Sequence, residues 1–566
     1  MEIFIIIFPA LSFLLFQFFK QKIRIEILYG INVLLYIFTF FLSVYIFFKI
    51  LNLDSDLPLF FYPLIELDEY FINWSLRLDL FVSGLIVLIT FIGFSLFIFS
   101  INQYQNHTIN IKINSYISLS IFSLLVLLLS NNLIQFFIGW YLIILSSYLI
   151  SNISENKTGI VDNSNIFIQN RVSDLCFFLS LYFIYTFSNS INFDVIFKSV
   201  QIFENHKTLF NKTINHIDIA AFILFFSFLL RCRQFYISNS KYDLLNLNVS
   251  SFTLIIFGLY LPVGLYFVLR FLPLTQINLE YLNILIILGF VFALIFSFLL
   301  ISSYNLKNLI TYIASSQFGI LLIAVGFKLY SAVVFYFFTL TISLLILCLG
   351  FGIITSKLDQ EQDIRKMGHL IIKCPSTFLF ILIGFISFLG IPYFSGFYSN
   401  QLLFSQLLSI NEENYFLVLT CYFSYTFIIS YISFKILLIV FLGENNCNIH
   451  LYNKIVEGSL HSKIILVFLS ISLIFSGWYL NNLFSGDFGE NIWRLVLVGS
   501  TEFSLNHKLN DNQWPFEARN IVCYIGISLA FLNYLIIPKL GDNLKLRNNK
   551  LFKYYLKFFT SYDFNR

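Results

Sequence analysis

The stretch LLRCRQFYISNSKYD, residues 229–243, decides how the rest of the chain is read. Arg231, Arg233 and Gln234 follow directly on the apolar run AAFILFFSFLL, and Lys241 and Asp243 come just before the next apolar run. A cation at membrane depth is expensive, so it faces a protein interior or a water-filled path. The cluster is therefore either a loop in water or a broken helix inside a bilayer. Its surroundings make the bilayer the frame for both readings. The 566 residues are 58% hydrophobic and only 11% charged, with mean hydropathy +0.83. A soluble chain carries about 25% charged residues. Long apolar runs with few charges mean a polytopic helical membrane protein, because only helices and closed barrels satisfy their backbone in lipid.

Composition also narrows the function. The formal net charge of +4 is spread over loops, so there is no basic face for nucleic acid. The seven cysteines, Cys176, Cys232, Cys348, Cys374, Cys421, Cys447 and Cys523, show no paired spacing, and neither a disulfide framework nor a zinc site is implied. All seven histidines fall between apolar runs, which argues against an intramembrane histidine relay. The 73 Phe and 33 Tyr beside 2 Met point to an AT-rich genome, an organelle or a compact bacterium. The opening MEIFIIIFPALSFLLFQFFK reads as a membrane span rather than a cleavable signal.

The apolar runs predict an all-α fold of about fifteen transmembrane helices, each of roughly twenty residues. Pro262 in LPVG and Pro392 in GIPYFSG lie inside runs, and each can break its helix. A weak internal echo accompanies them. NRVSD at 170–174 and the 231–243 cluster in the first half correspond to NLKN at 305–308 and the break GIPYFSGFYSN at 390–400 in the second. Broken helices in corresponding positions point to a transporter-like ion path. The expected organisation is N-terminal helices over 1–110, a first repeat over 111–275, a second over 276–445, and C-terminal helices over 446–566.

Arg171 and Asp174 are spaced i, i+3 and share a helix face. The plainer reading is an ion pair at a helix start on the interface. Lys307 opens a span and can snorkel to the headgroups. Gln317, with Ser315 and Ser316, lies deep in the same run, where such residues hydrogen-bond across helix interfaces. Lys435, within FIISYISFKILLIVFLG, is far from either end and needs a partner, water or a deprotonated state. Trp74, Trp140 and the tyrosines near span ends read as an interfacial belt.

Several motifs carry a family resemblance. EQDIRKMGHL at 361–370 resembles the loop signature of the chain-5 family of NADH–ubiquinone oxidoreductase, the antiporter-like membrane-arm subunits of respiratory complex I. WSLRLD at 74–79, LLLSNNLIQFFIGW at 127–140, NRVSD at 170–174, TYIASSQFG at 311–319, GIPYFSGFYS at 390–399 and FKILLIVFLGE at 434–444 are similar to further family motifs, in the same order. The resemblance implies two inverted five-helix repeats with broken helices, in a multi-pass protein of the mitochondrial inner membrane. It implies a role in proton translocation coupled to electron transfer. The expected partners are other membrane-arm subunits, accessory subunits and lipids such as cardiolipin. It implies no cofactor in this chain, with NADH, FMN, iron–sulfur clusters and ubiquinone bound by other subunits. Asp174, Arg171, Arg231, Lys307 and Lys435 are then the proton-path candidates.

The departures from the family pattern are equally specific. Its glutamate after G-W falls on Tyr141 and its seventh-span lysine on Arg231, a residue that does not release its proton. Its eighth-span histidine falls on Ile256. The two histidines and lysine of its eleventh span fall on Phe335, Thr339 and Ser343, and the lysine and aspartate after G-F-Y-S on Asn400 and Gln401. Lys307 retains a family lysine, its acidic neighbour replaced by Asn305, and Lys435 stands where the family has arginine. A proton path needs titratable groups or water between them. The expectation is a subunit that keeps its fold and place with its own channel degenerate. The rival is a rerouted path through Asp174, Arg231, Lys307, Lys435, tyrosines and water. An Mrp-type cation/proton antiporter subunit shares the fold but should retain the missing glutamate and lysines. NNKLFKYYLKFFTSYDFNR at 548–566 resembles the start of the family's lateral helix, and most of that helix is expected to be absent.

Overall fold

A computed structural model describes residues 2–19, 24–53, 57–67, 70–101, 107–151, 159–202, 216–231, 253, 261–275, 279–408, 415–485 and 514–536. Most of the 229–243 cluster, Ile256 and the 548–566 segment lie outside these residues. The chain divides into two compact units, one formed by Met1–Leu285 with Gly486–Phe503, the other by Ile286–Ser485 with Ser504–Arg566.

The first unit contains α1 (Phe4–Phe18), α2 (Ile25–Leu53), a hairpin of β1 (Leu57–Leu67) and β2 (Tyr70–Leu78), α3 (Leu80–Ser100), α4 (His107–Leu128), α5 (Leu133–Ser151), α6 (Gly159–Ser188), α7 (Phe193–Ile202), α8 (His216–Arg231), α9 (Leu261–Arg270) and the short α10 (Leu272–Thr275). The candidate membrane spans among the described residues are all helices, as expected, and the antiparallel hairpin is an addition outside them. Its strands are rich in Phe, Tyr, Ile and Leu, which suit a pleated surface. The pairing slips around Pro63, a residue without a ladder donor.

The second unit opens within α11 (Leu279–Ser302), which spans the boundary. It continues through α12 (Leu306–Gly326), α13 (Tyr330–Lys357), α14 (Pro375–Leu389), α15 (Ser395–Leu408), α16 (Tyr415–Leu437), α17 (Ile449–Lys454), α18 (Leu460–Phe484) and α19 (Trp514–Phe531). Helices α12 and α13 are buried almost all round, as uniformly apolar helices in a bundle interior should be. Helix α18 keeps Ile464, Phe475 and Trp478 exposed, an apolar surface that suits lipid.

Ten described helices are long and apolar enough to cross a membrane. Of the about fifteen expected spans, ten are thereby shown among the described residues. Phe4–Phe18, Ile219–Leu230, Leu261–Arg270 and Pro375–Leu389 are apolar but shorter. The clearest cause is at 390–394. Helix α14 ends on Gly390 in a left-handed conformation (φ 69°), and α15 restarts at Ser395 beyond Pro392. One apolar run is thus a broken helix, as expected for the second half.

Each unit also contains a capped turn of the same kind. Between α4 and α5, the Asn132 side chain accepts from the Gln135 amide (2.7 Å), and Asn132 bridges to Asn192 beyond α6. Between α11 and α12, the Asn305 side chain accepts from the Lys307 amide (3.1 Å), and Asn305 bridges to Asp363 beyond α13. Asparagine is a favoured N-cap because its carbonyl satisfies an orphan helix amide. The same helix–cap–helix–helix–bridge order in both units is local structure repeated along the chain.

Candidate functional site: buried charge in each unit

In the first unit, WSLRLD builds a charged knot. Asp79 stands at the residue just before α3, 1% exposed, with its side chain turned to arginines rather than to the helix amides. Arg77 Nε donates to Asp79 Oδ1 (2.7 Å), and Arg270, at the end of α9, donates to Asp79 Oδ2. Arg77 also reaches Asp194 at the start of α7. Burial pushes the Asp79 carboxyl up, but Arg270 and Arg77 outweigh it and hold the group below the usual carboxylate range. Sequence reasoning quoted WSLRLD without singling out Asp79, and it missed Arg270. Both stand at ends of apolar runs, where charges are ordinary, and only the fold brings them together.

The pair predicted on α6 is present, with Arg171 Nη1 and Asp174 Oδ2 3.3 Å apart. It does not sit at a helix start, because α6 begins at Gly159. Asp174 is 4% exposed, and Trp140 Nε1 donates to it (3.1 Å). Trp140 is therefore a fully buried anchor rather than a belt residue. The Arg171 guanidinium lies 5.1 Å over the Tyr141 ring. An exposed aromatic face thus meets the arginine where the family resemblance expects a glutamate. Arg231 is the last residue of α8.

In the second unit, EQDIRKMG is a clasp. Ile364 donates to the Tyr304 carbonyl, and Leu306 to that of Gln362. Asn446 Nδ2 donates to the Arg365 carbonyl (3.1 Å). Gly368 has φ 149° and lies against the Glu444 carbonyl, which a Cβ would meet at 1.8 Å. Only glycine permits that approach. Burial pushes the Asp363 carboxyl up, but hydrogen bonds from Arg365 hold it below its ordinary value. The motif thus ties the turn before α12 to the end of α16.

Beside the clasp, Lys307 and Lys435 are both buried, which rules out snorkelling for Lys307 here. Lys435 Nζ donates to the Ile301 carbonyl (3.3 Å) and stands 4.7 Å over the Tyr304 ring. Arg365 covers the same ring at 4.5 Å. A second polar layer lies ten residues farther along α12, about 15 Å at the helical rise. There Tyr336 Oη donates to Gln317 Oε1, as the cross-helix reading of Gln317 anticipates. Tyr422 Oη donates to Asn400 Oδ1 (3.1 Å). Thr339 and Ser399 hydroxyls are 2.8 Å apart. Arg519, on α19 and 3% exposed, donates to the carbonyls of Leu389 and Gly390 at the helix break. Between the layers, Ile310 and Ile313 on α12 and Ile432 on α16 are buried.

Arg519 is the functional candidate that sequence reasoning missed. It sits in NQWPFEARN, whose polar flank reads as a loop. Among the described residues of the second unit, no aspartate or glutamate is buried, and neither Lys435 nor Arg519 pairs with a carboxylate. No described group of His, Cys, Asp and Glu could hold a metal.

A bundle of apolar helices with a broken helix, capped turns and sparse buried charge is the architecture of an antiporter-like membrane subunit. Residues 130–456 match the family described as NADH:quinone oxidoreductase/Mrp antiporter, transmembrane, and the chain belongs to that family. It is a multi-pass membrane protein. Among its relatives is the NADH-ubiquinone oxidoreductase chain 5 of Chondrus crispus, 27% identical over 462 residues, covering 80% of this chain and 69% of the relative. The chain 5 of Acanthamoeba castellanii is 29% identical, covering 75% and 63% respectively. The NADH-quinone oxidoreductase subunit L of Rickettsia typhi is 26% identical, covering 93% and 79%. A chain of the membrane-bound sulfane sulfur reductase, an archaeal respiratory membrane complex, shares the fold at TM-score 0.70 and 16% identity, covering 87% of this chain and 97% of that one.

Proposed function

We propose that this chain is a core membrane-arm subunit of a proton-translocating NADH:ubiquinone oxidoreductase, respiratory complex I, in the mitochondrial inner membrane. It works beside other membrane-arm and accessory subunits and lipids such as cardiolipin. NADH, FMN, iron–sulfur clusters and ubiquinone belong to other subunits, and this chain has no redox step of its own. The relatives named above support this reading over an Mrp-type antiporter.

Within that complex, the chain's own proton channel is degenerate. One observation carries this: the second unit buries cations but, among its described residues, no carboxylate. A relay needs groups that take and release a proton in turn, at matched affinity. Here Lys307 and Lys435 lie at one polar layer, and Arg519, which as an arginine keeps its proton, at the other. The residues between them include buried isoleucines. In the first unit, Asp174 is occupied by Trp140 and Arg171, and Asp79 by Arg77 and Arg270.

The test is the number of protons translocated per NADH oxidised by the purified complex in sealed vesicles. The comparison is a complex whose chain 5 carries the family's Glu, Lys and His. The reading expects a ratio lower by one channel's share. An equal ratio would establish the rerouted path instead.

A further inference from the structure

We propose that Arg519 is a tethered cation that occupies the carbonyl end of the broken helix and shuts the second unit's polar seam to protons. The inference rests on the reading of a degenerate channel and names what closes it.

The argument begins with the break. The last turn of a helix leaves its carbonyls without helical partners, and the macrodipole makes that end negative. In broken-helix transporters, such ends and the unwound backbone beside them receive the transported cation. Here the carbonyls of Leu389 and Gly390 are taken by Arg519. The fit is close: a Cβ on Gly390 would stand 2.8 Å from Asn400 Nδ2 and 2.9 Å from Arg519 Nη1 and Nη2. The guanidinium and the Asn400 amide thus share one small space. A cavity lined by Gln317, Tyr336, Asn400, Tyr422 and Arg519 adjoins it. It has room for about one water molecule. Arg519 Nε, itself buried, has no hydrogen-bond partner among the described residues.

The cation is held in place from outside the helix pair it closes. Helix α19 packs along α16. At its far end, Asn533 Nδ2 donates to Tyr431 Oη (3.2 Å), and Phe531 packs on Phe434. Arginine keeps its proton, so the charge at the break is permanent. A permanent cation in a cavity this small repels a second one, as cationic side chains do in pores that exclude protons. The groups that could otherwise carry a proton through water are already paired with one another: the Thr339–Ser399 hydroxyls, the Tyr336–Gln317 pair and the Tyr422–Asn400 pair. Removing the charge should therefore produce a leak rather than a loss.

The experiment uses the intact complex in sealed proteoliposomes without NADH, with a pH-sensitive dye inside. Arg519→Gln should make an imposed pH gradient decay several-fold faster than in the wild type. Arg519→Lys, which keeps the charge, should stay near the wild-type rate. Asn400→Asp sets a carboxylate beside the guanidinium and draws it off the carbonyls, so it too should leak. This variant also covers a failure of Arg519→Gln to assemble. Wild-type decay in assembled Arg519→Gln, or in Asn400→Asp, overturns the proposal. A lowered proton-to-NADH ratio in Arg519→Gln at a wild-type decay rate overturns it as well, since Arg519 would then be part of a working path. The degenerate-channel reading fails separately, on the wild-type ratio, and that measurement does not involve the leak.

Discussion

In the first unit, the buried charges come with partners of opposite sign. Asp79 lies between Arg77 and Arg270, and Asp174 lies between Trp140 and Arg171. In the second, Lys435 rests on a carbonyl and an aromatic face, and Arg519 on two carbonyls. The difference teaches what each charge can be for. A carboxylate clamped between arginines has its affinity for a proton fixed by the clamp, and removing either side strands the other in a low-dielectric interior. A cation on carbonyls and rings leaves no stranded ion when it is removed. The first arrangement is a structural joint. The second can be altered without breaking the fold, so it is the place to look for activity or for its loss.

The contrast can be broken most sharply at Asp79. Asp79→Asn leaves Arg270 buried beside a neutral amide and should cost about 3–5 kcal/mol. The expected readout is little assembled complex, or a heat-inactivation midpoint well below wild type. A wild-type midpoint would mean that the joint is not structural. The same clamp sets a pH dependence. The folded carboxyl is held below its ordinary value, so its stabilising share is complete above about pH 4 and is lost as pH falls through the depressed folded value. Acid inactivation at the low-pH edge should therefore lessen in Asp79→Asn, from an already lower plateau.

Asp174→Asn comes next. The Trp140 hydrogen bond can survive on the amide oxygen, while the ionic contact with Arg171 is lost. We expect about 1–3 kcal/mol and an unchanged proton-to-NADH ratio. A reduced ratio with normal assembly would move Asp174 from the structural set into a proton path. The smallest effect is expected at Lys435. Lys435→Met keeps the length of the side chain and strands no carboxylate, so stability should stay within about 1 kcal/mol or rise. A loss as large as that at Asp79 would show a partner that the described contacts do not contain.

These residues also show what the sequence makes legible. Lys435 and Gln317 are visible because they interrupt long apolar runs, and the structure places both in buried polar contacts. The break at 390–394 is visible through Gly390 and Pro392. The Asp79–Arg270 joint is not, because its members are far apart in sequence and lie at run ends, where charges normally meet water. Arg519 is hidden for the same reason. The 57–78 hairpin is missed because LPLFFYPLIELDEYFINWSLRL falls between the long apolar runs that the sequence reading follows. Its β-prone residues become strands only through pairing with each other. Trp140 misleads in the opposite direction. A tryptophan near a run end reads as an interface anchor, yet its indole is fully buried and donates to Asp174.

The most direct test of the central claim is the proton-to-NADH ratio of the complex carrying Lys307→Met and Lys435→Met together, measured in sealed vesicles beside the wild type. A degenerate channel predicts the same ratio in both, because neither lysine passes protons through this chain. A ratio lower in the double variant, with the complex fully assembled and its NADH oxidation intact, would contradict the account and show that protons still cross the second unit.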